Sequence, residues 1–382
     1  MKVKMGMIGG GIGSLIGPIH RIAAIMDGMV EIVSGTFSSD SKKSIESGKA
    51  IGITSDRTYS DWKEMIAKEG ELPAQQRPDF ITIVTPNNLH YLPAKAALEA
   101  GFHVLCDKPL CITSDEARDL LNIVNSRKLL FCSTYNYSGY PMVKKARELV
   151  ARGEIGTIRK VAVEYFQGSL SFLKEKTGNK RAIWRTNPET AGISCAMADI
   201  GTRAVQLAEY ISGLRITELC AALTATLPGR KLDDDGNILL RFENGARGTL
   251  LASKIALGEE NNLRIKIFGD KGGISWEQMC PNDLIVRWPD KPYQVYRTAT
   301  TFDEVGETVL MHSRLPAGHP EGFIEGFANI YRNFAYNIQE YKEGRAINKS
   351  YDFPDINDGL RGMLFIEAAV KSSNSNEKWT TL

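Results

Sequence analysis

The stretch VKMGMIG, Val3 to Gly9, runs directly into GGIGSLIGPIHR. An apolar run closing on glycines and passing at once into a helical pattern reads as strand, tight turn and helix, because only residues without a Cβ turn so sharply. Such a unit opens a parallel sheet, since a strand followed by a helix must cross over to reach its next neighbour. The following residues repeat the alternation: VEIVSGTF, DFITIVTP, FHVLCD and KLLFCST read as strands between helical segments. The helix expected over 114–127 opens with a capping box, Thr113 accepting at its start and Glu116 reaching back.

After about residue 155 the pattern changes to longer strands joined by turns. NILLRF, then Glu243-Asn244-Gly245, then ARGTLLAS reads as a hairpin, because Asn-Gly suits the left-handed backbone of such turns. Helical patterns over 322–343 and 356–371 follow. A chain of 382 residues is long for one core. The expected organisation is therefore an α/β domain over 1–134, a doubly wound parallel sheet of the Rossmann type, and an α+β domain over 135–382 on an open, largely antiparallel sheet. The acidic run Asp233 to Gly236 reads as a turn, since the spaced ligands and closing Glu of a calcium loop are missing.

Lysine and arginine total 47 against 45 acidic residues, so no overall field favours nucleic acid or an anionic membrane. No apolar run approaches the roughly 18 residues of a membrane span. The segment MKVKMGMIGGG enters a strand at once, unlike a secretory leader. The six cysteines lack the C-x-x-C spacing of zinc or redox sites. These features lead to the expectation of a reduced cytoplasmic protein without a metal site.

A glycine turn between a strand and a helix is the context in which such a motif cradles a dinucleotide. Gly9 and Gly11 allow close approach of backbone to a pyrophosphate, and the N–H groups around Gly13, Ser14, Leu15 and Ile16 suit its charge. Gly17 comes three residues later than G-x-G-x-x-G spacing requires. The second strand ends in Ser38-Ser39-Asp40, with no acid at the first position, where a ribose is usually held. Ser38 and Ser39 suit ribose hydroxyls, while Lys42 and Lys43 suit a 2′-phosphate. NAD is expected, with NADP possible.

A second feature is ADIGTRAVQLAEY, Ala198 to Tyr210. Ile200, Ala204, Leu207, Ala208 and Ile211 form an apolar helical stripe, leaving Asp199, Arg203, Gln206 and Tyr210 on the other face. On its own, Asp199 with Arg203 four residues on is an ordinary ion pair worth about 0.3–0.5 kcal/mol.

The context changes that reading. Thr85, Pro86, Asn87 and His90 form T-P-N-x-x-H, Asp107-Lys108-Pro109 stands where an E-K-P is familiar, and Gly17 with His20 forms G-x-x-H. With these motifs in order the chain resembles the Gfo/Idh/MocA oxidoreductases. IWRTNPETAG, GHPEG and FANIYRNFA extend the likeness over nearly the whole chain, toward members acting on anhydrosugars and glycosides.

The resemblance implies hydride transfer between a nicotinamide and a carbon of a sugar, glycoside, anhydrosugar or polyol. It implies that Lys108 is catalytic, beside the cofactor with Thr85, Pro86, Asn87, His90, Asp107, Trp184 and Arg185. Tyr137, Tyr140 and His319 become candidate sugar contacts, each with an alternative role as a satisfied core or loop group. The opening of the later helix matches D-x-G-x-H through Asp199 and Gly201, but Arg203 stands in place of His. Asp199 and Arg203 then join Lys108 as catalytic candidates, although an arginine with a pKa above about 12 cannot accept a proton at neutral pH. The proton could leave through Lys108, His319 could substitute, or the protein could bind cofactor and sugar without turnover. NAD-cycling glycosidase chemistry is a further alternative. A homo-oligomer, dimer or tetramer, built through the C-terminal sheet is also implied.

Overall fold

The computed structural model describes residues 2–298 and 305–382, with no account of the Arg181 side chain. The chain divides into two compact units, Met1–Asn136 with Phe323–Leu360, and Tyr137–Gly322 with Arg361–Leu382.

In the first unit, β1 (Val3–Gly9), α1 (Ile16–Ile25), β2 (Val30–Thr36), α2 (Ser41–Ala50), α3 (Trp62–Glu71), β3 (Phe80–Val84), α4 (Tyr91–Glu99), β4 (His103–Cys106), α5 (Ser114–Arg127) and β5 (Phe131–Ser133) alternate as the sequence pattern requires. The sheet is parallel in the order β2-β1-β3-β4-β5. The order reverses between β1 and β3, so the loops following these two strands flank the crevice where doubly wound sheets hold ligands. β3 is buried along its whole length, as expected for a strand covered on both faces. Thr113 caps α5 by accepting from the Glu116 N–H, while the Glu116 carboxylate reaches one residue further back than a standard box, to the Ile112 N–H.

The helix Phe323–Lys342 belongs to this unit and not to the second, correcting the division at 134/135. Phe327, Ile330, Tyr331, Phe334 and Ile338 share a core with Val3, Met5, Met7 and Phe80, and Phe334 meets Phe80 edge to face at 5.4 Å. Sequence order placed the helix with its neighbours, whereas its apolar stripe finds its partners more than 200 residues upstream.

The second unit carries α6 (Pro141–Ala151), β6 (Ile158–Phe166), α7 (Lys180–Thr186), α8 (Pro188–Ala191), α9 (Thr202–Ser212), β7 (Ile216–Thr224), β8 (Asp235–Phe242), β9 (Arg247–Ser253), β10 (Asn262–Gly269), β11 (Gly273–Glu277), β12 (Asp283–Arg287), β13 (Gln294–Arg297) and β14 (Thr380–Thr381). Its nine-stranded sheet has the order β13-β12-β11-β10-β6-β9-β8-β7-β14, parallel only between β6 and β9. The β8–β9 hairpin turns at Gly245, with φ at 88°. Strand residues alternate between a face packed on helices and an open face. In β8, Ile238 and Leu240 are buried while Leu239 is exposed; in β10, Ile265 and Ile267 are buried while Phe268 is exposed.

The acidic run is not a free turn. Asp233 is buried and accepts the N–H groups of Cys195, Ala196 and Met197, Asp234 accepts from Thr226 and pairs with Arg230 at 2.9 Å, and Asp235 and Gly236 already belong to β8. The residue types suggested a turn, but carboxylates can be buried when backbone N–H groups converge on them. No disulfide joins the six cysteines.

Candidate active site

The loop after β1 is shaped by its glycines. Gly9, Gly10 and Gly13 have φ of 86°, 74° and 82°, a region open mainly to glycine. Gly11 donates to the Phe37 carbonyl at 3.1 Å, and a Cβ there would stand 2.6 Å from that oxygen and 2.8 Å from Ser47 Oγ. Its bare backbone therefore serves contact with the end of β2, not only approach to a pyrophosphate as its position suggested. Gly17, which looked displaced from the motif, supplies the close helix-to-loop packing of the third glycine: a Cβ there would lie 2.2 Å from the Gly10 carbonyl oxygen.

At Gly13 nothing lies within 3.9 Å of a Cβ position, where Lys43 Nζ is the near group. Leu15, the residue capping α1, makes no side-chain cap bond, and the first turn of the helix holds no acid. The Ser14 N–H donates to the Gly11 carbonyl at 2.9 Å, and α1 begins two residues later. The cradle fits a dinucleotide pyrophosphate: open at Gly13, basic at Lys43 and begun by a helix N-terminus. At the end of β2, Ser38 Oγ accepts from the Asp40 N–H at 3.2 Å, Ser39 is exposed, and the Asp40 carboxylate is engaged in capping α2.

The loop after β3 forms the facing wall. Pro86 starts a helical turn over Asn87–Leu89, Asn87 is buried, and the Thr85 hydroxyl donates to the Leu89 carbonyl. His90 lies between two carbonyls, Nδ1 at 2.9 Å from Pro109 and Nε2 at 2.7 Å from Thr85. It thus ties the Thr85 loop to the segment bearing Lys108, and burial pushes its pKa down. Asp107 Oδ1 accepts from the Lys108 N–H at 2.9 Å and the Thr134 hydroxyl at 2.7 Å, fixing the backbone of the Lys108 segment. Lys108 itself is buried. His20 Nδ1 contacts the Tyr331 hydroxyl at 2.7 Å and its Nε2 is 4.0 Å from Asp107. Burial pushes His20 down to about 4, so at neutral pH it is uncharged, a packing and orienting group.

In the second unit, Asp199 lies on a single π-helical turn, Met197–Gly201, that feeds α9. Such turns are rare and concentrate at functional sites. Four residues separate Asp199 from Arg203, yet the pair is one contact among several. Arg203 Nη1 is 3.6 Å from Oδ1, Arg185 Nε is 3.6 Å from Oδ2, and Lys254 Nζ donates to Oδ2 in a short hydrogen bond. Lys254 is fully buried, one residue beyond β9. Its ammonium also reaches Gln167 Oε1 at 3.4 Å; Gln167 donates to Asn261 at 2.6 Å, and Asn261 donates to the Tyr137 hydroxyl at 3.0 Å. Tyr137 and Tyr165 hydroxyls meet at 2.6 Å, and the Arg203 guanidinium lies over the Tyr137 ring at 5.9 Å.

Sequence reading missed Lys254, Gln167 and Asn261. They lie at or just outside the ends of β6, β9 and β10, spaced too far apart in sequence for a local motif to join them. The only available signal was a charged or amide residue where an apolar strand ends. Tyr140 is buried, stacked on Tyr137 at 6.0 Å and set against Trp276 at 5.4 Å. Trp184 carries the Arg185 guanidinium over its ring at 5.2 Å. His319 lies in an exposed turn against the Pro316 carbonyl, and no described contact joins it to the Asp199 cluster. Among the described residues no group of His, Cys, Asp or Glu is arranged to hold a metal ion, and no helix is long and apolar enough to cross a membrane.

Comparison with known proteins matches both halves of the chain. Residues 3–135 match the model of an oxidoreductase family with an NAD-binding Rossmann fold, and residues 143–275 match the GFO/IDH/MocA C-terminal domain. An uncharacterized oxidoreductase, YfiI, of Bacillus subtilis is 33% identical over 99% of this chain and 96% of its own. Levoglucosan dehydrogenase of Pseudarthrobacter phenanthrenivorans is 25% identical over 99% of this chain and 97% of its own. An inositol dehydrogenase homolog from Azotobacter vinelandii, solved with NAD+, superposes with a TM-score of 0.95 at 31% identity, covering 100% of this chain and 98% of that one. Both family models match in order and the likeness runs over nearly the full length of these relatives, so the chain belongs to the Gfo/Idh/MocA family of NAD-binding oxidoreductases.

Proposed function

We propose that this sugar or polyol dehydrogenase oxidises a secondary alcohol of a sugar, glycoside, anhydrosugar or cyclic polyol, with Lys108 as proton relay and the Asp199 cluster as sugar-holding site. The observation that carries this reading is the cluster itself. Asp199, Lys254, Gln167, Asn261 and Tyr137 form a connected array of donors and acceptors, the chemistry that recognises vicinal hydroxyls. The relatives named for levoglucosan and inositol dehydrogenase support a cyclic, hydroxyl-rich substrate.

Bound NAD supplies the hydride acceptor. Gly9, Gly13 and the start of α1 would hold its pyrophosphate, and Ser38, Ser39 and Lys43 would face its adenosine ribose. Oxidation breaks one C–H and one O–H bond of the alcohol: the nicotinamide would take the hydride, and Lys108 is the group placed to take the hydroxyl proton and pass it to solvent. The products are a carbonyl and NADH. Asp107 and His90 act through the backbone, holding the Lys108 segment in place. Arg203 cannot serve as base, so it orients substrate through its fixed fork of donors. The exposed Leu239 and Phe268 on the open sheet face support pairing of copies through that face.

Replacing Lys108 by Ala is expected to lower turnover by about 10²-fold or more while the NAD dissociation constant changes little. Initial-rate NADH formation over a sugar panel, beside fluorescence titration of NAD, checks both parts. Undiminished turnover of the best substrate removes Lys108 from the chemistry. The arginine at 203 favours one second reading, a dinucleotide- and sugar-binding protein without turnover; tight NAD and sugar binding with no NADH formed across the panel would establish it.

A further inference from the structure

The glycine loop after β1 is gripped by a side chain from the helix it feeds. Arg21 Nη1 donates to the Gly10 carbonyl at 2.6 Å. Side chains on a helix lean back toward its N-terminus, so Arg21 leans over the turn of α1 that holds Gly17. Gly17, without a side chain, leaves that path open and lets the helix close on the same carbonyl. The other polar end of the peptide is held as well, since the Gly11 N–H donates to the Phe37 carbonyl at 3.1 Å. The peptide between Gly10 and Gly11 is therefore pinned at both ends, in a loop where Gly10, with φ at 74°, has the freedom to swing.

One carbonyl does not account for an arginine. A guanidinium carries several N–H donors and a full charge, yet among the described residues Arg21 makes this one hydrogen bond and no ion pair. It is half-buried, and burial pushes its pKa down with no carboxylate acting against that push. Asp107 stands 4.0 Å from the adjacent His20 and makes no ion pair with Arg21, and the first turn of α1 holds no acid. A partly desolvated cation without an anion is costly to keep in a fold. The loop it grips is the one suited to the doubly charged pyrophosphate of a dinucleotide, an anion that would answer it.

We propose that Arg21 is a cofactor-affinity residue: it positions the glycine loop through the Gly10 carbonyl and lends its charge to the pyrophosphate of the bound dinucleotide. This rests on the glycine loop being the pyrophosphate cradle of the dehydrogenase.

The test is fluorescence titration of NADH with Arg21→Met, which keeps bulk and helix propensity, and with Arg21→Lys, which keeps the charge and a donor. Arg21→Met is expected to raise the NADH dissociation constant about tenfold, equivalent to ~1.4 kcal/mol, and Arg21→Lys to recover most of that loss. ADP-ribose, which carries the pyrophosphate, should compete with NADH about tenfold less well in Arg21→Met than in the parent, whereas adenosine, which lacks it, should compete nearly as well in both. Thermal unfolding checks that each variant is folded, and Arg21→Gln, neutral and polar, gives the same reading where Arg21→Met is unstable. Unchanged NADH binding in Arg21→Met, an equal loss for adenosine, or Arg21→Lys as weak as Arg21→Met overturns the proposal. Gly13→Val separates the two readings: if it binds NADH like the parent, the cradle assignment fails and takes the proposal with it. If Gly13→Val loses NADH while Arg21→Met keeps it, the cradle stands and the proposal alone falls.

Discussion

Gly17 shows how a residue without a side chain can define a site. The gap between Gly9-x-Gly11 and Gly17 departs from the familiar spacing, yet the chain reaches the same packing because α1 starts only at Ile16. The crowding at Gly10 leaves no space for even one methyl group, so Gly17→Ala must push α1 from the loop. Overpacking of this kind costs about 1–3 kcal/mol. The expected result is a lower urea midpoint together with weaker NAD binding, since the helix start that faces the pyrophosphate moves with it. Unchanged values of both would show that the loop yields easily. The glycines were legible in the sequence as a turn, and their division of labour was not: whether a missing Cβ makes room for a ligand, for Phe37 or for Gly10 depends on what the fold brings alongside.

Among the elements, the π-turn before α9 decides what Asp199 touches. A π-turn holds one residue more than an α-turn, and at about 100° per residue that extra residue rotates the side chains before it around the axis. Deleting Ala198 is expected to restore continuous α-helix and swing Asp199 away from Lys254 and Arg185. Sugar turnover should fall by about 10²-fold or more, the usual cost of misplacing a reacting group by about an ångström. NAD binding, which rests on the first unit, should persist. Turnover close to that of the parent would show that the contacts of Asp199 are dispensable. The sequence announced this helix clearly through Ile200, Ala204, Leu207 and Ile211, and the i,i+4 spacing of Asp199 and Arg203 was correctly read as a pair. What periodicity could not carry was the extra residue in the turn, or Lys254, which arrives from just beyond a strand, 55 residues after Asp199. The parallel character of the first sheet and the Asn-Gly hairpin were readable, because each depends on neighbours in sequence.

For the molecule as a whole, the buried histidines of the first unit link its stability to pH. Burial pushes both His20 and His103 down to about 4, and His103 accepts the Leu130 N–H at 3.0 Å in its neutral form. In the unfolded chain each protonates near about 6.5. Between these values the unfolded state binds more protons, so stability is full above about 6.5 and falls as the pH drops toward 4. The slope is about 1.4 kcal/mol per pH unit for each histidine. Urea unfolding at pH 7, 6 and 5, followed by the release of bound NAD, should show the midpoint falling over this range. A flat profile would mean that neither ring resists protonation in the native state.

The return of Phe323–Lys342 to the first unit also sets a timetable for synthesis. When residue 136 leaves the ribosome, the five-stranded sheet is complete in sequence but lacks the helix that buries Phe80 and Met5. About 190 residues must still be made before that helix arrives, roughly 10–40 s at usual translation rates. During that interval the apolar residues that the helix covers in the finished fold lack their partner.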